Sequence, residues 1–305
     1  MGNDLENSIL RTAAYFSYFS YPLTAFELWK WLLGPTVPYS YLEVVQALAT
    51  SEILQRRLAR ESGFYCLANE DGPSPITAQL EDRSSRLVDA LQKYGVIARY
   101  LSYLAHVPAV RGVAICNSLA FHHTNSASDI DLFIITKPGL TWTARFLSAL
   151  PLILLRRRPG EAKQNPICLS FFAAQTALAL EGVKISEQDP YLAYWSMTLM
   201  PIFDRSLWHR QLADQNRWVH EYLPNAYYVR RAQAFRASPS RFNLPTFFSE
   251  KLLKKVQEDR LPRHMKAMGN LDTRVILRDD MLKFHDQDRR EEIKLALEER
   301  LTTLV

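Results

Sequence analysis

Two carboxylates one residue apart, Asp129 and Asp131, stand at the head of the apolar run Leu132-Phe133-Ile134-Ile135. In an extended strand the side chains at i and i+2 share a face, so both acids point the same way. Like charges side by side repel, and a strand gains nothing from that crowding unless a cation neutralises it. Hard divalent cations take carboxylate oxygens and keep phosphates and waters as their remaining partners. Two such ions about 4 Å apart clamp the attacking and leaving oxygens of an in-line displacement. Upstream, Asn117-Ser118 follows an apolar strand pattern and opens a turn, where a hydroxyl and backbone N–H groups suit an anionic phosphate. A solvent-exposed strand start with loop-capping aspartates is the plainer alternative. The apolar residues behind the pair and the serine turn ahead of it favour a metal site.

These residues need a frame of strand, turn and strand. From residue 81 to 106, Leu87, Leu91, Tyr94, Ile97, Leu101 and Leu104 recur at helical spacing, and Pro108 ends the helix. The segment "VRGVAIC" then reads as a strand, "NSLAFHHTNSAS" as a loop and "DIDLFIIT" as a second strand. Beyond Pro138-Gly139 a helix begins near Thr141, with Trp142 and Arg145 one turn apart, placed either to stack a base and pair a phosphate or to pack the core. After a basic loop, "ICLSFFAA" reads as a third, buried strand. Helices are expected over Pro190 to about His209 and Gln211 to Tyr222, a short hairpin in "VILRDDMLKFH", and a charged helix over 287–301. Asn216, Trp218 and Pro224-Asn225 are expected to pack this last region against the sheet.

Ahead of this frame, Thr24-x-x-Glu27 and Ser40-x-x-Glu43 have the form of helix capping boxes. A helix over about 5–19 precedes them, and the segments around Leu54–Ala59 and Gly63–Leu67 flank a polar turn. Three helices and a hairpin over about 5–69 follow the winged-helix plan. The stretch Tyr39 to Glu52 holds Glu43 and Glu52 and no Lys or Arg, whereas duplex DNA demands phosphate-neutralising cations. Only the hairpin is basic, through Arg56, Arg57 and Arg60, so packing or a protein partner is favoured over DNA.

With Asn117-Ser118 and Ser128-Asp129-Ile130-Asp131-Leu132, the succession of helix, strand, serine turn, Asp-x-Asp strand and helix resembles the nucleotidyltransferase superfamily. That superfamily includes DNA polymerase β, aminoglycoside nucleotidyltransferases and small MNT-type antitoxins. The resemblance implies a small mixed-sheet core in which Asp129 and Asp131 hold two Mg²⁺ ions. Asn117, Ser118, Ser128 and Arg145 would then serve the nucleotide, and an NTP would give its nucleoside monophosphate to a hydroxyl acceptor. Tyr21-Pro22-Leu23-Thr24, Asn216-Arg217-Trp218-Val219 and Leu223-Pro224-Asn225 extend a similarity to bacterial proteins in which a winged helix precedes such a core. Two departures stand out. Asn117 replaces the family's Gly, although Asn tolerates positive φ better than most residues. The strand "ICLSFFAA" lacks the third carboxylate; Ser170 or a neighbour takes its place, and Glu181, Glu187 and Asp189 follow at no telling distance.

With 305 residues, 48% hydrophobic and 23% charged, the chain reads as an ordinary globular protein of two or three domains. The division expected is a winged-helix-like module over 1–72, a nucleotidyltransferase core over 81–185 and a mainly helical region over 186–305. Net charge +5 suits an anion-handling protein without requiring one. Three cysteines without CxxC spacing and an N-terminus lacking a signal pattern point to a reducing, cytoplasmic setting, with Cys116 and Cys168 buried and inert. The run "FLSALPLILLRRR" is too short to span a bilayer and reads as a core helix ending in a solvated basic loop, so no membrane partner is expected. His122 and His123 are adjacent and point apart, which suits surface or substrate-lining positions better than joint chelation. Three hypotheses remain: a Mg²⁺-dependent nucleotidyltransferase, a silent nucleotide- or partner-binding protein on the same fold, and a winged-helix DNA-binding regulator.

Overall fold

Side-chain caps and apolar spacing define the first elements of the computed structural model, which describes residues 3–68, 75–226 and 249–304. Helix α1 (Asp4–Ser17) starts at a capping box between Asn3 and Glu6 and buries Leu5, Ile9, Ala13 and Phe16. The two capping boxes expected from sequence both form, Thr24 with Glu27 at α2 (Ala25–Lys30) and Ser40 with Glu43 at α3 (Tyr41–Thr50). Strand β1 (Leu23–Thr24) lies between α1 and α2; helix α4 (Glu52–Arg57) and the hairpin β2 (Leu58–Glu61) and β3 (Phe64–Leu67) complete the module. Its sheet runs β1-β3-β2, all antiparallel. The hairpin starts later than expected because Ser51 caps the backbone at Leu54 and winds 52–57 into a helix.

Residues 69–74 lie outside the described residues, and α5 (Ile76–Leu104) begins before residue 81, the start expected from sequence. Arg83 ties α5 to the N-terminal module: its guanidinium lies 4.1 Å from the Tyr21 ring centroid and donates to Glu27 at 2.7 Å.

The second sheet carries the site. Its strands are β4 (Val110–Ile115), β5 (Ile130–Thr136), β6 (Ile167–Ala174), β7 (Met200–Asp204), β8 (Val275–Leu277) and β9 (Met281–Phe284), in the order β7-β4-β5-β6-β9-β8. Of its neighbouring pairs, β5 and β6 run parallel and the others antiparallel. The alternation in β5 splits two cores: Ile130, Leu132 and Ile134 pack with α5 and α7 (Thr141–Leu154), while Phe133 and Ile135 pack with Phe171 and Trp195. The fold is therefore mixed α+β, as expected.

The last part of the chain departs from expectation. It contains α8 (Pro190–Thr198), α9 (Trp208–Gln215), α10 (Val219–Tyr222), α11 (Glu250–Asp259), α12 (Arg263–Met268) and α13 (Arg290–Leu304), yet it also supplies β7, β8 and β9 to the sheet. The helix expected through His209 stops at Thr198, and β7 pairs with the outer edge of β4. Pro201, opposite Ala114, lacks an N–H and fits an edge strand where no neighbour needs that donor. Gly112 on β4 is required by close approach: a Cβ there would lie 2.0 Å from the Trp208 indole nitrogen.

Asn216 holds the chain turn after α9 through bonds to the backbone of Leu178, Leu180 and Leu212. Asn225, expected against the sheet, instead clamps the N-terminal module, accepting from the Tyr39 N–H at 3.0 Å and donating to the Trp29 carbonyl at 2.9 Å. The C-terminal end of α7 is another correction. Leu152 is buried, but Ile153 and the two leucines after it are exposed. No described helix is long and apolar enough to cross a membrane.

Candidate functional site

Strand β5 and the residue preceding it bring Asp131 and Asp129 into one cleft of about 1000 Å³. The C-terminal part of α1 and its following turn, the N-terminal ends of β5 and β6, helix α8 and the β9–α13 junction form its walls. Ile130 between the acids is fully buried on the other side of the sheet, so the i, i+2 geometry read from sequence holds. Neither acid is paired with a lysine or arginine among the described residues. Lys93, which pulls the Asp129 carboxyl downward electrostatically, commits its ammonium to Asp89 at 2.7 Å and to the Asn125 carbonyl at 2.9 Å.

The cost of that isolation appears in protonation. Burial raises the Asp129 carboxyl above its ordinary value. Asp131 is pushed up to about 6, chiefly by burial, with the neighbouring Asp129 charge adding to it and a hydrogen bond from Asn117 opposing it. Across the parallel ladder Cys168 sits in register with Asp131, and its thiol is pushed up to about 12 by burial and by Asp131. Cys168, half-buried rather than buried as expected, is thus a protonated neighbour of the acid.

Asn117 adopts φ +56°, the left-handed conformation that Gly takes without strain and that Asn tolerates better than most residues. Its Oδ1 accepts from the Trp195 indole at 2.9 Å, which turns the amide nitrogen toward Asp131. The side chain therefore orients the acid. Ser118 lines the same cleft, and its carbonyl accepts the His123 N–H at 2.9 Å. His123 also lines it; Nε2 lies 2.9 Å from the Phe19 carbonyl, so Nε2 carries the proton, and burial holds the imidazole neutral with a pKa of about 4.

Two of the residues expected at the nucleotide are otherwise engaged. Ser128 lines the cleft, but its hydroxyl closes a turn with Asn125, at 3.1 Å from the Asn125 N–H and 3.2 Å from Oδ1. Arg145 is not among the lining residues: it donates to Gln257 at 2.7 Å and lies over the Phe284 ring, so α11 takes the guanidinium expected to meet a phosphate. Trp142 is buried, and its N–H is capped by Glu250 at 2.8 Å from α11.

Among the described residues, no third carboxylate completes the pair. Ser170 lines the cleft with Cys168 where the β5–β6 register is interrupted, and its hydroxyl lies 2.9 Å from Nε2 of His285. Burial pushes that imidazole down to about 3, so it is neutral. Glu181 and Glu187 are exposed, and Asp189 is buried as the N-cap of α8, bonded to Leu192 and Arg290. Nor does any group of three or more described His, Cys, Asp or Glu side chains stand together to hold a metal ion. Two unpaired, desolvated carboxylates fit a hard cation that arrives with phosphate and water ligands of its own, the usual habit of Mg²⁺.

The opposite wall carries charges that complete one another. Asp288 accepts from Arg290 at 2.8 Å and Lys283 at 3.0 Å; Arg290 also donates to Asp189 at 3.1 Å and to the Val183 carbonyl at 2.8 Å. These cations hold the Asp288 carboxyl far below its usual range, while burial and Arg290 bring Lys283 down to about 8. Sequence reasoning misses His285 and Lys283 because they reach the site only through antiparallel pairing of β9 with β6. The hairpin itself is legible in "VILRDDMLKFH", but nothing local names its partner strand.

Comparison with family models, curated proteins and solved structures finds no match for the chain.

Proposed function

We propose that the chain is a Mg²⁺-dependent nucleotidyltransferase that moves a nucleoside monophosphate from an NTP to a hydroxyl acceptor. The observation that carries this reading is the unpaired Asp129–Asp131 edge at the floor of a large cleft. Asp129 and Asp131 would hold Mg²⁺, which when bound supplies charge neutralisation for phosphoryl transfer. Asn117 orients Asp131 through its amide, and Ser118 borders the path of a triphosphate. Trp195, Phe171 and Tyr191 form an aromatic wall that offers stacking surface and keeps water out.

A second reading, nucleotide binding without turnover, draws support from Ser170 and neutral His285 standing where a third acid is wanted. Pyrophosphate release separates the two. Wild-type protein with Mg²⁺, NTPs and candidate hydroxyl acceptors should release it, and Asp129→Ala and Asp131→Ala should not; tight NTP binding without release would favour the second.

The N-terminal module, read as a winged helix, is better suited to a protein partner than to DNA. Its α2–α3 surface exposes Phe26, Tyr41 and Leu42 beside Trp29 and has no cation on α3. A salt-sensitive shift of duplex DNA would reverse that preference.

A further inference from the structure

At the C-terminal end of α7, Ile153, Leu154 and Leu155 are 46%, 72% and 70% exposed. No other run of three consecutive large hydrophobic residues is exposed among the described residues. Arg156, Arg157 and Arg158 come directly after, and Lys163 lies in the same loop against a single acid, Glu161. Arg156, Arg158 and Lys163 are exposed, and Arg156 leaves the helix with φ +50°. The loop is anchored behind the tip: the Arg158 carbonyl accepts from Glu161 and Ala162, and the Ile167 N–H donates to the Arg157 carbonyl as β6 begins.

Successive helical residues turn about 100° apart, so three in a row spread around the helix end and do not form a stripe. A helix- or groove-type protein partner reads residues spaced i, i+3, i+4 on one face. A convex tip apolar on several sides is instead satisfied by a medium that surrounds it, and the arginine collar behind it matches anionic headgroups while its alkyl stems lie along the acyl boundary. Nucleic acid answers to the arginines but leaves the aliphatic tip in water, and residues 153–165 contain no aromatic side chain on which a base would stack. We infer that the Ile153–Leu155 tip and its Arg156–Arg158 collar dock the protein peripherally on an anionic lipid bilayer. Pro159 of the same loop lines the cleft, so the docked tip sets the mouth of the site beside the membrane surface.

The test is co-sedimentation of the full chain with vesicles of phosphatidylcholine alone or mixed with phosphatidylglycerol. Leu154→Ser/Leu155→Ser and Arg156→Glu/Arg158→Glu are compared with wild type, all checked for an unchanged thermal midpoint. Wild type should bind the anionic vesicles roughly tenfold or more tighter than neutral ones, and each double variant should lose about tenfold or more. Three results would each overturn the inference: no preference for anionic vesicles, unchanged binding by the leucine variant, or a leucine-dependent dimer in wild type that binds no vesicles. Binding of single-stranded RNA that is lost with the arginines but not with the leucines, in the absence of vesicle binding, would assign the collar to nucleic acid instead.

Discussion

At the wall formed by β9 and α13, four buried charged side chains complete one another, whereas at the floor beneath β5 two carboxylates share an edge that no described cation of the chain occupies. Both clusters face the same cleft, yet their protonation moves in opposite directions. Asp288 is held strongly ionised by Arg290 and Lys283; Asp131 is pushed toward its neutral form by burial and by Asp129. Charges that fasten a fold are paired within it, because an uncompensated buried ion costs several kcal/mol. Charges left uncompensated at the bottom of a cleft are maintained against stability, which is the mark of a place where something else binds.

The largest effect should come from breaking the paired end. Arg290→Met strands Asp288 and Asp189 without their shared cation and should cost about 3–5 kcal/mol in urea unfolding, because the partners remain buried and charged. An unfolding midpoint equal to wild type would remove this network from the account of the fold.

Identical Asp→Asn changes should then act with opposite signs at the two ends. Asp288 has a lowered folded pKa, so its contribution is present above the unfolded value near 3.8 and fades as pH falls through the folded value. Asp288→Asn should therefore destabilise by about 2–3 kcal/mol at neutral pH, and its gap to wild type should close in strong acid. Asp131 has a raised folded pKa of about 6 against an ordinary 3.8. Its protonated form favours the fold below about pH 4, and that advantage is lost as pH rises through about 6. Without divalent cations, Asp131→Asn should thus stabilise the protein by about 2 kcal/mol above pH 6 and change little below pH 4, a figure reduced for partial exposure. Thermal unfolding across pH, with chelator present, measures both.

A smaller effect belongs to the residue that aims the acid. Asn117→Ala forces a residue that disfavours the left-handed region into φ +56°, removes the bond to Trp195 and the donor to Asp131, and should cost about 1–2 kcal/mol in chemical denaturation.

The same contrast explains what is legible in the sequence. Asp129, Asp131 and the Asn117-Ser118 turn can be placed together because their arrangement is set by adjacent strands and the period-2 alternation of β5. The turn at Asn117 is also readable, since one residue's φ decides it and Asn tolerates a positive one. Lys283, His285 and Arg290 cannot be placed, because their wall depends on β9 finding β6 across more than a hundred residues of sequence. Strand β7 reads as helix because its apolar run has no alternation; only its edge position beside β4 explains why Pro201 is tolerated there. Arg145 shows the reverse failure: its helix and spacing are plain, but Gln257 of α11 competes for its guanidinium, and α11 lies far along the chain.

Thermal shift with a non-hydrolysable NTP at pH 7.5, run with and without Mg²⁺ on wild type, Asp129→Ala and Asp288→Asn, tests the central claim most directly. The account predicts a rise of several degrees that requires both nucleotide and Mg²⁺, vanishes in Asp129→Ala and persists in Asp288→Asn from its lower baseline. A rise that survives in Asp129→Ala, or that needs no divalent cation, or no rise with any NTP, would contradict it.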